Sequence, residues 1–195
     1  MLPGHDFVDR TARRGPALYH EEWARAQLDE LLRDPALAEV EGAQSDLHAD
    51  GYAVSARYNG VFLGDERLEP VWAELSRRRA VAFVHPNTIA PPQLGLPAPL
   101  IDGAFETARS VVDMLYAGVF RRYPDLTVIL AHAGGGLPAM SGRLEQLGAE
   151  PWVPNAQNIT RDEIREHLAR LYQDTETREP TPVSHRLSPW SRVTI

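Results

Sequence analysis

Two apolar runs in this chain each end in a histidine, and that pairing constrains the fold more than any other feature. "AVAFVHP" (Ala80–Pro86) and "LTVILAH" (Leu126–His132) are too short for core helices and rich in β-branched residues, so both read as buried strands. A strand that only had to pack would end in ordinary turn residues. These deliver imidazoles to their C-terminal ends, and three glycines, Gly134–Gly136, follow the second almost at once.

The segments between the runs have helical period. "PVWAELSRRR" starts near Pro70, where a first turn tolerates proline, and buries Leu68, Val71, Trp72 and Leu75. "GAFETARSVVDMLYAGVFRR" reads as one long helix capped by Asp102, with Phe105, Ala108, Val112, Leu115 and Val119 as its apolar stripe. Upstream lie helices over His20–Asp34 and in "PALAEVEGAQSDL", the second compromised by Gly42, then a short strand in Gly51–Gly60. Downstream, Thr160 and Glu163 form a capping box ahead of Ile164 and Leu168, and "LARLYQDT" ends in a fourth strand. Strands alternating with helices predict a parallel α/β fold, and chemistry in such folds sits at the C-terminal strand ends. His85 and His132 are thereby directed into one site.

Composition excludes several chemistries. With 195 residues the chain can bury one sizeable core. It has no cysteine, so disulfides and thiolate sites are ruled out. All 20 basic residues are arginine, which rules out Schiff-base chemistry and a P-loop lysine. A net charge of -7 argues against a nucleic-acid partner. No apolar run approaches a membrane span and the first residues lack a signal-peptide core, so a cytoplasmic location is expected.

The segments "YNGVFLGDERLEPVWAELSRRRAVAFVHP" and "FETARSVVDMLYAGVFRRYPDLTVILAHAGGGLPAMSGRL" resemble the amidohydrolase-related (amidohydrolase 2) family, a branch of the metal-dependent hydrolases that includes aminocarboxymuconate-semialdehyde and resorcylate-type decarboxylases. The resemblance implies a TIM-barrel-like (β/α)8 fold, incomplete here and holding strands four to seven. It implies a divalent metal, usually zinc, with His85 as a ligand and His132 as general acid/base. It further implies that Arg143 holds a substrate carboxylate across a dimer interface, and that Asp174 is structural. The expected activity is hydrolysis or non-oxidative decarboxylation of a small carboxylic acid, weak or absent if the metal site stays incomplete.

Departures from the family pattern are also expected to matter. His5, His20 and His48 are isolated, so no H-x-H pair supplies the first-strand ligands, and no G-[ST]-D segment supplies the eighth-strand aspartate. The organisation expected is an N-terminal segment over 1–35, a partial barrel over 36–175 and an irregular tail over 176–195. The Arg-, Pro- and Ser-rich tail suggests a truncated or frame-shifted gene product. A non-catalytic remnant that self-associates through open sheet edges is the alternative.

The blander readings stand beside these. Gly134–Gly136 could cradle a phosphate through backbone N–H groups, although Pro138 removes one donor. Ser141 lies in "PAMSG" and is not a nucleophile elbow. Glu106 and Arg109 read as a solvated helix face or a bridging pair. His48, His167 and His185 read as surface residues, and Arg77–Arg79 as helix-end cations.

Overall fold

The computed structural model describes residues 35–46, 49, 51–58, 60–88 and 95–175. The expected helix over His20–Asp34, the tail, and His5, His20, His48 and His185 lie outside these residues. Helix α1 (Pro35–Ser45) buries Val40 and Ala43. Strand β1 (Gly51–Ser55) leads into a hairpin of β2 (Arg57–Tyr58) and β3 (Val61–Phe62), which turns at Gly60 with φ 89°. The expected single strand over Gly51–Gly60 is therefore broken at Ala56, where the chain leaves one sheet for another.

A short 3-10 turn (Glu66–Leu68) precedes α2 (Glu69–Arg77), which carries Pro70 in its first turn as predicted. Trp72 and Leu75 are both 1 % exposed, and the Trp72 indole N–H donates to the Leu63 carbonyl at 2.9 Å. Arg77 and Arg78 fold back onto Glu74 at the helix end, with Arg78 also reaching Glu41 on α1. Next come β4 (Val81–His85), α3 (Ala98–Tyr116), α4 (Val119–Arg122) and β5 (Thr127–Leu130). Helix α5 (Leu137–Leu147), α6 (Arg161–Ala169) and β6 (Tyr172–Gln173) complete the described chain. The capping box at Thr160 and Glu163 is present with both its hydrogen bonds.

The main sheet is parallel, in the order β1-β4-β5-β6, so each strand lies beside its predecessor from one βα unit earlier. Its strands alternate in burial rather than being covered on both faces. Ala82, Val84, Val128 and Leu130 are buried with Trp72, Val111, Met114 and Leu115 in the core. Phe83, His85 and Ile129 fall on the other, more open face. Both faces are apolar in composition, which hides the alternation in the sequence.

Helix α3 departs most from expectation. It starts at Ala98, so Asp102 lies within it, 9 % exposed, and is not its cap. Gly118 at φ 77° then separates α3 from α4 and breaks the expected single helix. Its buried face is Asp102, Gly103, Glu106, Thr107, Ala108, Ser110, Val111, Met114 and Leu115. Ala108 and Leu115 of the expected stripe are thus buried, as is Val119 on α4, whereas Phe105 is 39 % exposed and Val112 only half-buried. An apolar-period rule finds the apolar part of this face and misses the part made of polar residues. Two polar side chains of α3 reach the segments around the sheet: buried Ser110 donates from Oγ to the Ala56 carbonyl, and half-buried Asp113 accepts from the Gly64 N–H at 2.6 Å. Burial pushes the Asp113 carboxyl above the usual range. Among the described residues no helix is long and apolar enough to cross a membrane.

Candidate functional site

The parallel sheet places Ser55, His85, His132 and Asp174 at the same end. His85 is the last residue of β4, directly beside Ser55, and its carbonyl accepts from the Ala56 N–H at 2.8 Å. Past β5 the ladder continues for one step, the Ala131 N–H donating to the Val84 carbonyl at 3.0 Å. The chain then turns sharply. His132 has φ 56° and Ala133 φ 52°, followed by Gly134 at 78° and Gly135 at 57°. Left-handed backbone in two non-glycine residues costs on the order of 1–3 kcal/mol each and collects at functional sites. The result is that the imidazoles of His85 and His132 meet edge to face, with ring centroids 4.9 Å apart. Phe83 borders the pair on the His85 side, with centroids 6.3 Å apart. His85 is exposed and His132 half-buried, so the pair is open to a ligand.

Two carboxylates stand behind these turns. Asp174, just past β6, accepts from the Ala133 N–H at 2.9 Å, while its own N–H donates to the Leu130 carbonyl at 3.0 Å. Glu106, only 5 % exposed, accepts from the N–H groups of Asn87 at 2.9 Å and Thr88 at 3.3 Å and lies 3.5 Å from the Arg57 guanidinium. The Asn87 amide donates to Ser55 Oγ at 2.8 Å and to the Arg57 carbonyl. Glu106 is therefore buried and bridging, not part of a solvated face. Tyr58 accepts from the Ser55 N–H at 3.2 Å, and burial pushes its phenol above the ordinary value.

The glycine run does not serve as an anion cradle. The N–H of Ala133 is taken by Asp174, those of Gly134 and Gly135 by the carbonyls of Ala131 and His132, and that of Gly136 by Ala104. Nor does it leave open space. A Cβ on Gly135 would sit 2.5 Å from the Ala104 carbonyl oxygen, so glycine is required there by the close approach of α3.

Arg143 is exposed on α5, and no contact between it and the histidine pair occurs among the described residues. Arg109 is exposed, its guanidinium 5.8 Å from the Phe105 ring centre. Ser141 is buried and donates to the Pro138 carbonyl at 2.9 Å, as befits a structural hydroxyl. His167, expected at the surface, is 7 % exposed, and neither ring nitrogen has a hydrogen-bond partner among the described residues.

Two neighbouring imidazoles suit a borderline divalent cation, but such a centre takes about three protein donors. Among the described residues no group of three or more His, Asp or Glu side chains converges. The pair thus fits part of a metal centre and does not fill one.

The family model for amidohydrolases matches residues 5–175. The chain belongs to this family. A 6-methylsalicylic acid decarboxylase of Aspergillus aculeatus is 42% identical over 144 residues, covering 70% of this chain and 43% of that protein. A 2-amino-3-carboxymuconate-6-semialdehyde decarboxylase of Dictyostelium discoideum is 32% identical over 147 residues, covering 73% of this chain and 40% of that protein. This chain therefore spans less than half the length of these relatives. The crystal structure of an amidohydrolase II superposes with a TM-score of 0.66 at 28% identity, over 78% of this chain and 49% of the other. A dihydroxybenzoic acid decarboxylase from Polaromonas, solved with bound manganese and 2-nitroresorcinol, superposes with a TM-score of 0.55 at 20% identity, over 80% of this chain and 57% of the other. The four-stranded parallel sheet is consistent with an arc of the TIM barrel these proteins adopt.

Proposed function

We propose that this chain belongs to an enzyme that removes the carboxyl group of a small hydroxybenzoate-like acid non-oxidatively, with hydrolysis of a small carboxylic acid derivative as the second reading. The observation that carries it is the edge-to-face contact of His85 and His132 at neighbouring strand ends, held there by a strained turn. Decarboxylation is favoured over hydrolysis because the similar proteins from Aspergillus and Dictyostelium are decarboxylases.

In this reading His132 moves the proton. The bond between the ring carbon and the carboxyl carbon breaks, its electron pair stays on the ring carbon, and that carbon takes a proton from the His132 imidazolium as carbon dioxide leaves. An imidazole suits this step because its reference pKa of ~6.5 lets both forms exist near neutrality. Phe83, beside the pair, offers an apolar surface for the aromatic ring of such a substrate. His85 would serve as one ligand of a divalent cation, zinc in the first instance, together with donors beyond the described residues. When bound, that cation would polarise the substrate's oxygens. Arg143, exposed on α5, would reach a substrate carboxylate in a second subunit of a homodimer.

The test is carbon dioxide release from a panel including 6-methylsalicylate and 2,6-dihydroxybenzoate, with zinc or manganese supplied, in the parent chain and in His132→Gln and His85→Ala. Release that drops at least 100-fold in His132→Gln, with bound metal lost in His85→Ala, is expected. Release from none of the acids, together with no bound metal in the parent, would refute the proposal and favour the non-catalytic alternative.

A further inference from the structure

The two histidines share a feature that the sequence does not announce. Within two residues after each, a backbone N–H group donates to a carboxylate carried by a different element. After His85 the acceptor is Glu106 on α3, bonded to the N–H groups of Asn87 and Thr88. Thr88 has φ 50°, a left-handed conformation that turns successive N–H groups toward one point. After His132 the acceptor is Asp174, bonded to the Ala133 N–H.

Each acceptor is itself anchored. Glu106 is 5 % exposed in the middle of α3 and faces Arg57, whose carbonyl accepts from the Asn87 amide, closing a ring of contacts among β2, the loop after β4 and α3. Asp174 is fixed by its own N–H, which extends the β5–β6 ladder onto Leu130. A left-handed turn at a non-glycine residue persists only where its surroundings over-determine it. Hydrogen bonds to an ionised acceptor are roughly twice as strong as neutral ones and set geometry more tightly. The carbonyls of Ala131 and His132 accept from Gly134 and Gly135, and the Asp174 carboxylate holds the Ala133 N–H between them.

We infer that Glu106 and Asp174 are positioning residues, the first setting the turn after His85 and the second the turn after His132, and that together they fix the ring-to-ring geometry of the pair. The inference rests on the proposed use of that pair, but it can be read without turnover.

The experiment uses the full chain with isotope-labelled histidine rings and follows the nuclear Overhauser cross peak between the His85 and His132 ring protons. It compares Glu106→Ala and Asp174→Ala with Glu106→Gln and Asp174→Asn, which keep an acceptor oxygen. The expected result is a cross peak in the parent that weakens at least tenfold in each alanine variant and is kept in the amide variants, with the core methyl spectrum unchanged throughout. Where turnover is measurable, the alanine variants should lose about 10–100-fold in kcat and the amide variants should restore it. Absence of the cross peak in the parent overturns the inference, as does an undiminished peak in the alanine variants. An alanine variant that does not fold while its amide counterpart does also overturns it, because the acceptor is then a requirement of the whole fold. A cross peak that behaves as expected in a parent without turnover supports the positioning role and counts only against the proposed function.

Discussion

Replacing His167 by phenylalanine should stabilise the protein and flatten its stability at mildly acidic pH. The imidazole is 7 % exposed, stands beside the Phe120 ring at 6.0 Å between centroids, and has no partner for either nitrogen among the described residues. Burial pushes its pKa below the ordinary value, with Arg170 and Arg121 acting in the same direction and Glu166 and Glu163 opposing. The unfolded chain therefore binds a proton near pH ~6.5 that the folded chain resists. Stability from this group is intact above that pH and is lost as pH falls from ~6.5 toward the lower folded value, by at most ~1.4 kcal/mol per pH unit. Above pH 7 the neutral ring still leaves a donor and an acceptor unmade, each costing ~1–3 kcal/mol. A phenyl ring of similar shape removes both, with overpacking offsetting part of the gain. A net gain of ~1–3 kcal/mol at pH 8 follows, or a Tm higher by ~2–4 °C per kcal/mol in a chain of this size. Urea unfolding of both proteins from pH 8 to 5 isolates the effect, because the difference between them cancels the other titrating groups. A variant less stable at pH 8, or a difference that does not grow as pH falls, would refute the reading of His167 as a buried imidazole with unmade hydrogen bonds.

Gly135→Ala should destabilise strongly, because its Cβ meets the Ala104 carbonyl oxygen at 2.5 Å and φ is 57°; a Tm within 2 °C of the parent would contradict the packing described. Trp72→Ala should cost ~3–5 kcal/mol in denaturant unfolding, since it empties a fully buried site and leaves the Leu63 carbonyl without its donor. Thr160→Ala should cost about 1 kcal/mol through loss of the cap on α6. The Glu163 carboxylate is held at about 2, first by the Thr160 N–H and also by Arg121, so its stabilisation is present above the ordinary Glu range and is lost as pH falls toward 2. In acid titrations the Thr160→Ala variant should lose part of that dependence.

What the sequence made legible was whatever repeats or ends abruptly. The strands ending at His85 and beside His132 are continuous apolar runs, and the capping box at Thr160 is a local pattern of two residues, so both could be read without tertiary knowledge. The polar face of α3 could not. Glu106 and Ser110 are buried against segments far away in the chain, and hydrophobic period carries no trace of those partners. The glycines after His132 were visible but their reason was not: Gly135 admits the α3 backbone at Ala104 rather than a ligand. His167 shows the opposite failure. Charged neighbours at Arg165, Glu166 and Arg170 gave it the look of a surface position, while Ile164 and Leu168 carry it inward on the same helical face.

The order of the sheet has a consequence for the site's portability. Because β1, β4, β5 and β6 stand in space as they stand in the chain, the two rings in contact come from adjacent units. Among the described residues, the groups hydrogen-bonded around the pair, from Ser55 and Arg57 through Glu106 to Asp174, lie in one stretch of the sequence. Shuffling or duplication that moved this stretch intact would carry the paired imidazoles and their supports together as a heritable cassette, whatever strands flanked it in the recipient.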